Sequence, residues 1–360
     1  MRRPQGSGHV DRHATISPAA PTRRRFFVGC ACAATVAALR PSRAGATGGL
    51  DVTDGESDRA VRVLLARGDY AAAQQIDAWH FAWNGRTYRG TFNRVAMPDG
   101  RSALLNTLPL DAYLYGVLSK EVSPAWAPAA QQAQAIVSRT YALLKLRPEK
   151  PYDVTAGDAD QNYGGIESES VEGRAAVDAT ASTIVAYDAL PARVAYSSCC
   201  GGRTADAGDV WNTPYAYLTS IVDPNCASTP NFTWQAQLPL QTVETALRQQ
   251  ISSCGRVHGV QLRAGAAGGR PRAVAFIGDT STVETPMQLF RTAVGAGIVR
   301  STFVRDAVLN DDGASLALSG TGRGHGVGLC QWGARVLGQT GASAQAIVAF
   351  YFPGTSLGRA

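Results

Sequence analysis

Glu121 is the residue whose position says most about chemistry. It falls near the end of an apolar-periodic stretch, residues 111–122, with Leu114, Val117, Leu118 and Val122 at helical spacing. Ser123-Pro124 stops that helix, because the residue before a proline avoids the α region. Asp111 is placed to cap its start. Glu121 therefore belongs to the last turn, at the negative end of the helix dipole, where a carboxylate is disfavoured and its pKa rises. A carboxyl that stays protonated near neutral pH can give its proton to a leaving oxygen. A second helix follows over residues 128–146. Pro128 suits a first turn, and Ala130, Ala133, Val137, Tyr141 and Leu144 form its apolar stripe. Gln134, Arg139 and Tyr141 on this helix, and Tyr163 beyond it, could position a bound substrate or steady developing charge. Arg139 could equally pair with Glu121, which would lower the acid's pKa.

A second candidate surface is the glycine-rich block at residues 320–328, in which glycine alternates with other residues. Glycine takes positive φ and lets backbone approach another surface closely. The block lacks the GxGxxG spacing and the lysine of a phosphate-binding loop. It suits either a ligand lying on exposed amides or a tight packing junction. His325 within it could donate to a ligand oxygen or to Glu121. Cys330, five residues on, gives only a weak outline of a thiol enzyme. After residue 46 the histidines are His80, His258 and His325, none paired at ligand spacing, and no cysteine pair has CxxC spacing. No metal or other cofactor is expected on that ground. A glycosidase would place a second carboxyl across the bond. Asp111, Asp158, Asp160 and Glu167 are the candidates, and no motif marks any of them.

Several ordered blocks carry a family likeness. They are N-x-LPL-x-x-YL-x-GV at residues 106–117, Glu121, Trp126, and AQA-x-x-x-RTYAL at 133–143. DQNYGG at 160–165, YSSCCGGRT at 196–204, VWNTPYAYL at 210–218 and GRGHGVGLCQWGA at 322–334 follow in order. This series, from about residue 62 to 357, resembles the SpoIID/LytB family. The resemblance implies an exported enzyme that cleaves peptidoglycan glycan strands as a lytic transglycosylase. Glu121 matches the catalytic glutamate. Gln134, Arg139, Tyr141, Tyr163, Ser197, Gly324, His325, Gly326 and Gln331 are the expected substrate contacts. Some members carry a metal-binding His and Cys in the loop matching residues 151–165; here that loop has neither. The alternative is a non-catalytic, glycan-binding module that activates a cell-wall amidase, since fold resemblance alone does not fix activity.

The chain's start has the form of an export signal. Thr22-Arg23-Arg24-Arg25-Phe26-Phe27 resembles a twin-arginine motif, an apolar run follows, and Ala44-Gly45-Ala46 suits cleavage. The expected organisation is a signal at 1–46, a flexible lead at 47–59 and one domain at 60–358, in the periplasm or at the cell surface. The apolar run is short for a membrane span. Residues 1–46 hold eight arginines and one aspartate, a net of +7. The whole chain is +6, so the remainder is about −1 and offers no basic face for nucleic acid. Cys199, Cys200, Cys226, Cys254 and Cys330 remain beyond the signal, an odd number. One of the adjacent pair is expected to bridge Cys226, with Cys254 and Cys330 free and buried.

Short strands are expected at 61–65, 85–95, 102–105, 257–262 and 272–276, and a strand pair from 183–187 and 193–198. Helices are expected at 171–180, 240–251, 287–294, 331–339 and 343–352, with 206–234 irregular. The mixture lacks regular βαβ alternation, so the expected class is α+β around a glycan-binding cleft.

Overall fold

The helix Pro128–Lys145 is the element around which the site is built. The computed structural model describes residues 59–360 except 231 and 266–268. The expected export signal and nearly all of the lead lie outside the described residues. The helices are α1 (Leu110–Glu121), α2 (Pro128–Lys145), α3 (Val171–Asp178), α4 (Ala207–Trp211), α5 (Leu240–Ala246), α6 (Arg248–Ile251), α7 (Met287–Val294), α8 (Gln331–Gln339) and α9 (Ala344–Tyr351). Helix α2 meets α1, α3, α8, α9 and the strand Thr183–Tyr187. That is why its middle is buried on every side, polar residues included.

A four-stranded sheet in the order Thr91–Ala96, Ser102–Pro109, Ala60–Arg67 and Val154–Thr155 backs α1. Val61, Val63, Leu108, Leu114 and Val117 fill the space between them. Farther along the chain, Thr233–Pro239 and Val304–Leu309 flank Ser315–Thr321, and Pro271–Gly278 lies between Val257–Ala264 and Thr282–Pro286. Helices α5 and α7 close the core of this region through Val243, Met287 and Phe290. The result is α+β, as the sequence implies.

Several local expectations need correction. Asp111 does not cap α1: the cap position is Pro109, which makes no side-chain bond. Asp111 instead accepts from Arg139 Nε at 2.8 Å. The segment 85–95 is two strands, Arg86–Arg89 and Thr91–Ala96, split at Gly90. Gly90 has φ +84°, and a Cβ there would strike Thr107 O and Leu108. Thr183–Tyr187 does not pair with 193–198: it pairs with Ser356–Arg359 and Leu190–Pro191. Tyr196–Ser197 pairs in parallel with Leu329–Cys330 instead, which joins the segment to the glycine-rich block. Segment 206–234 contains α4, capped by Asp206. The helix expected over 240–251 breaks at Leu247.

Candidate active site

Glu121 ends α1, and Val122 leaves the helix in extended conformation. The carboxyl is held by three donors from distant parts of the chain. Asn162 N donates to Oε1 at 3.1 Å and Gln331 Nε2 to Oε2 at 3.4 Å. The Tyr196 hydroxyl also bonds Glu121. Burial raises the Glu121 pKa, the three hydrogen bonds pull it back, and the charge of Asp158 adds to the rise. Loss of water, rather than the helix-end position that the sequence suggests, is the first cause of the rise. Arg139 does not oppose it. Its guanidinium is 1 % exposed and is spent on Asp111, Thr180 and the carbonyls of Val177 and Thr183.

Tyr196 is itself fixed from behind. Gln161 Nε2 donates to its hydroxyl at 3.1 Å, and Gln161 Oε1 accepts from Tyr113 at 3.3 Å. Burial, then the neighbouring Glu121, push the Tyr196 phenol well above its ordinary range, so it remains a donor.

Glu121, Tyr141, Ser197, Gly324, His325 and Gln331 line one open pocket of about 900 Å³. Asp160 stands on the wall of this pocket. Its Oδ1 accepts from Lys145 Nζ at 2.8 Å and the Tyr141 hydroxyl at 3.0 Å. Its Oδ2 accepts from Thr155 N at 2.9 Å and Oγ1 at 3.0 Å. Burial would raise its pKa, but Lys145 and Thr155 outweigh burial and hold it below the ordinary aspartate value. Asp158 is exposed at the rim and accepts from Asn162 Nδ2 at 2.9 Å.

His325 packs against Trp211, with ring centroids 5.1 Å apart and the planes tilted by 50°. Its Nδ1 accepts from Val327 N at 3.1 Å, so the neutral ring carries its hydrogen on Nε2. The ring is also bonded to the Tyr196 backbone. Burial first, then Arg291, lower its pKa from 6.5 to about 4. It is neutral at ordinary pH and braces the pocket backbone.

Residues 99–187 match the family described as Stage II sporulation protein, SpoIID. The chain carries a SpoIID-family domain, and its relatives support the SpoIID/LytB family. A protein of Brachyspira hyodysenteriae described as uncharacterized is 29% identical over 281 residues, covering 77% of this chain and 74% of that protein. The amidase enhancer of Bacillus subtilis is 28% identical over 292 residues, 68% of this chain but 40% of that protein. Stage II sporulation protein D of Bacillus subtilis is 26% identical over 294 residues, covering 74% and 80%.

In this chain, four expected contacts lie away from the pocket wall. Gln134 is fully buried and donates to Ser138 Oγ at 3.0 Å. Tyr163 is buried and donates to Asn106 Oδ1 at 2.8 Å, its ring filling the space that Gly116 leaves open. Arg139 ties α2 to α1 and α3, as above. Gly326 faces inward: a Cβ there would strike the buried Arg270 guanidinium. The glycine-rich block is in fact a packing junction. Gly322, Gly324, Gly326 and Gly328 all have positive φ, and a Cβ on the first, second or last would meet residues 195–201. The Gly322 and Gly324 amides bond Phe232 O and Arg300 O, and the Gly326 amide bonds Ser197 Oγ. Residues that the sequence reading missed are Asn162 and Tyr196 at the acid, and Arg193, Arg291 and Arg323 on the wall. The blocks DQNYGG and YSSCCGGRT contained Asn162 and Tyr196, but nothing local marked the atoms that face Glu121.

Proposed function

We propose that this chain is an exported lytic transglycosylase acting on peptidoglycan glycan strands through its domain at 60–358. The observation that carries the reading is Glu121: a pocket carboxyl with raised pKa, held by Asn162, Gln331 and Tyr196 and by no cation among the described residues. Such a group can protonate the glycosidic oxygen as the C1–O bond breaks. The resulting carboxylate can then take the proton of the muramic acid O6 hydroxyl as that oxygen closes on C1, giving a 1,6-anhydro end. Gln331, Asn162 and Tyr196 would stabilise the carboxylate between the two steps. Lys145, Arg193, Arg291 and Arg323 around the pocket suit strands stripped of stem peptides, whose lactyl groups carry free carboxylates. Export to the periplasm or cell surface rests on the form of residues 1–46. No helix among the described residues is long and apolar enough to cross a membrane. A mass spectrum of glycan strands incubated with the protein tests the reaction. Anhydromuramic ends are expected; ordinary reducing ends would assign hydrolysis, with a second carboxylate activating water.

A second reading follows from the amidase enhancer among the relatives. In it the same pocket binds glycan without cleaving it and the chain activates a cell-wall amidase. Glycan retention with no new ends, together with faster amidase turnover when the protein is added, would favour that reading.

A further inference from the structure

Beneath the pocket lies a cluster that the chemistry above does not use. The Sγ atoms of Cys200, Cys226 and Cys330 and a carboxylate oxygen of Asp223 all lie within 4.8 Å of one another. All four residues are 0 % exposed. We infer that these four side chains form a structural zinc site. It is independent of the reaction proposed for Glu121.

The geometry is that of a closed tetrahedral donor set. Zinc–sulfur bonds of about 2.3 Å and zinc–oxygen bonds of about 2.1 Å put tetrahedral S···S separations near 3.8 Å and S···O separations near 3.6 Å. Cys200 Sγ is 3.5 Å from Cys226 Sγ and 3.2 Å from Asp223 Oδ2. The ligands come from three parts of the chain: the loop after Tyr196–Ser197, the Asp223–Cys226 turn, and the junction between Leu329–Cys330 and α8. Such convergence from distant segments is what a structural ion consolidates, and soft thiolates select zinc over magnesium or calcium.

The surroundings fit metal-bound anions. Cys330 Sγ accepts from the backbone N–H of Cys200 at 3.2 Å and of Gly333 at 3.4 Å. Asp223 is oriented on both oxygens. Tyr351 donates to Oδ2 at 2.8 Å, while Asn225 N and Nδ2 donate to Oδ1 at 3.1 and 2.9 Å. Such outer bonds fix a ligating carboxylate. Gly333 must be glycine, because a Cβ would strike the Tyr351 hydroxyl and Asp223 Oδ2. Three thiolates, one carboxylate and Zn²⁺ sum to −2. The guanidinium of Arg270, buried nearby, donates to Cys200 O at 2.5 Å and offsets part of that charge. Cys199 borders the cluster: its thiol bonds those of Cys226 and Cys330 and lies 3.7 Å from Thr229 Oγ1. The disulfide expected from sequence is absent: the described cysteines are all free, and Cys200 to Cys226 is a non-bonded contact.

The position also gives the ion a consequence. Cys330 directly precedes Gln331, which bonds Glu121, and its strand pairs with Tyr196–Ser197. A zinc here would fix two of the three donors of the acid, Gln331 and Tyr196, from below.

The test is metal analysis of the full chain, purified from zinc-supplied cells under reducing conditions. About one zinc per chain is expected. Cobalt exchanged into the site should give thiolate charge-transfer and tetrahedral d–d bands. Cys226→Ser, Cys330→Ser and Asp223→Asn should each lose most of the bound metal, whereas Cys254→Ser, whose thiol bonds Phe276 O, should keep it. Glu121→Gln should keep it too, which separates this inference from the catalytic reading. The wild-type measurement decides even where a ligand variant fails to fold. A chain that holds no zinc and takes up no cobalt overturns the inference. So does peptide mapping that finds Cys200 bonded to Cys226.

Discussion

Glu121 and Asp160 are carboxyls of the same pocket, and their surroundings differ in one decisive respect. Asp160 faces an ammonium: Lys145 lies 2.8 Å away, and Thr155 adds two donors on the other oxygen. Glu121 has neutral donors only, from Asn162, Gln331 and Tyr196. Burial raises both pKa values, yet Asp160 ends below its ordinary value and Glu121 above. Burial alone does not make an acid; burial without a cation does. One fold thus separates the two carboxyls into a fixed anion that holds the wall and a pocket carboxyl that keeps its proton to higher pH.

The largest effect should come from Glu121→Gln, which keeps the shape and removes the proton. Turnover on glycan strands should fall roughly 100- to 10,000-fold. Stability supplies a second readout. The folded state holds the Glu121 proton to higher pH than the unfolded chain does. That contribution is fully present below the unfolded pKa and is lost as pH rises through the folded one. Thermal melts across that window should slope downward for the parent and less so for Glu121→Gln. Equal slopes would mean that Glu121 is not the buried neutral carboxyl described.

Next in size is Lys145→Met, which removes the cation from the comparison. Asp160 should then titrate at higher pH, and the fold should lose about 1 kcal/mol, a modest figure because Lys145 is partly exposed. Chemical denaturation and carboxyl titration check both. An unmoved Asp160 would show that Thr155, not Lys145, sets its state.

How much of this could be seen in the sequence depends on how local each cause is. The α1 and α2 pair was legible because apolar spacing and Pro124 are local signals, and Glu121 stood out at their junction. Its donors were not. Asn162 lies 41 positions from Glu121 and Gln331 lies 210 away, so topology alone brings them together. Arg139 misled for a related reason. A charged residue in a matching motif suggests a substrate contact, whereas its partner is Asp111 and its place is the core. The strands Thr233–Pro239, Val304–Leu309 and Ser315–Thr321 gave no usable pattern. Their pairing joins residues as distant as Trp234 and Gly320. The glycine block's periodicity was visible, but only the positive φ values and the backbone pressed against it distinguish a junction from a sugar-binding surface.

A smaller shift should follow Asp158→Asn. The Asp158 charge helps raise the Glu121 pKa. Its removal should move the alkaline limb of the rate profile to lower pH, with turnover at the optimum nearly unchanged. Abolished turnover would instead make Asp158 the base of a hydrolase.

The smallest effect concerns His325. Its pKa is lowered from 6.5 to about 4, so the unfolded chain binds the proton first as pH falls. Stability tied to His325 is lost from pH 6.5 toward 4. His325→Asn should flatten that slope. It should cost about 1 kcal/mol at neutral pH through a weaker bond to the Val327 amide.

The most direct measurement is a carbon-13 titration of the side-chain carboxyls of the full chain, assigned through Glu121→Gln and Asp160→Asn. The account predicts that Glu121 titrates above 4.5 and Asp160 below 3.8, with the alkaline limb of glycan turnover at the Glu121 midpoint. A Glu121 midpoint at or below 4.5, or a rate limb unrelated to it, would contradict the claim that this buried, cation-free carboxyl is the proton donor.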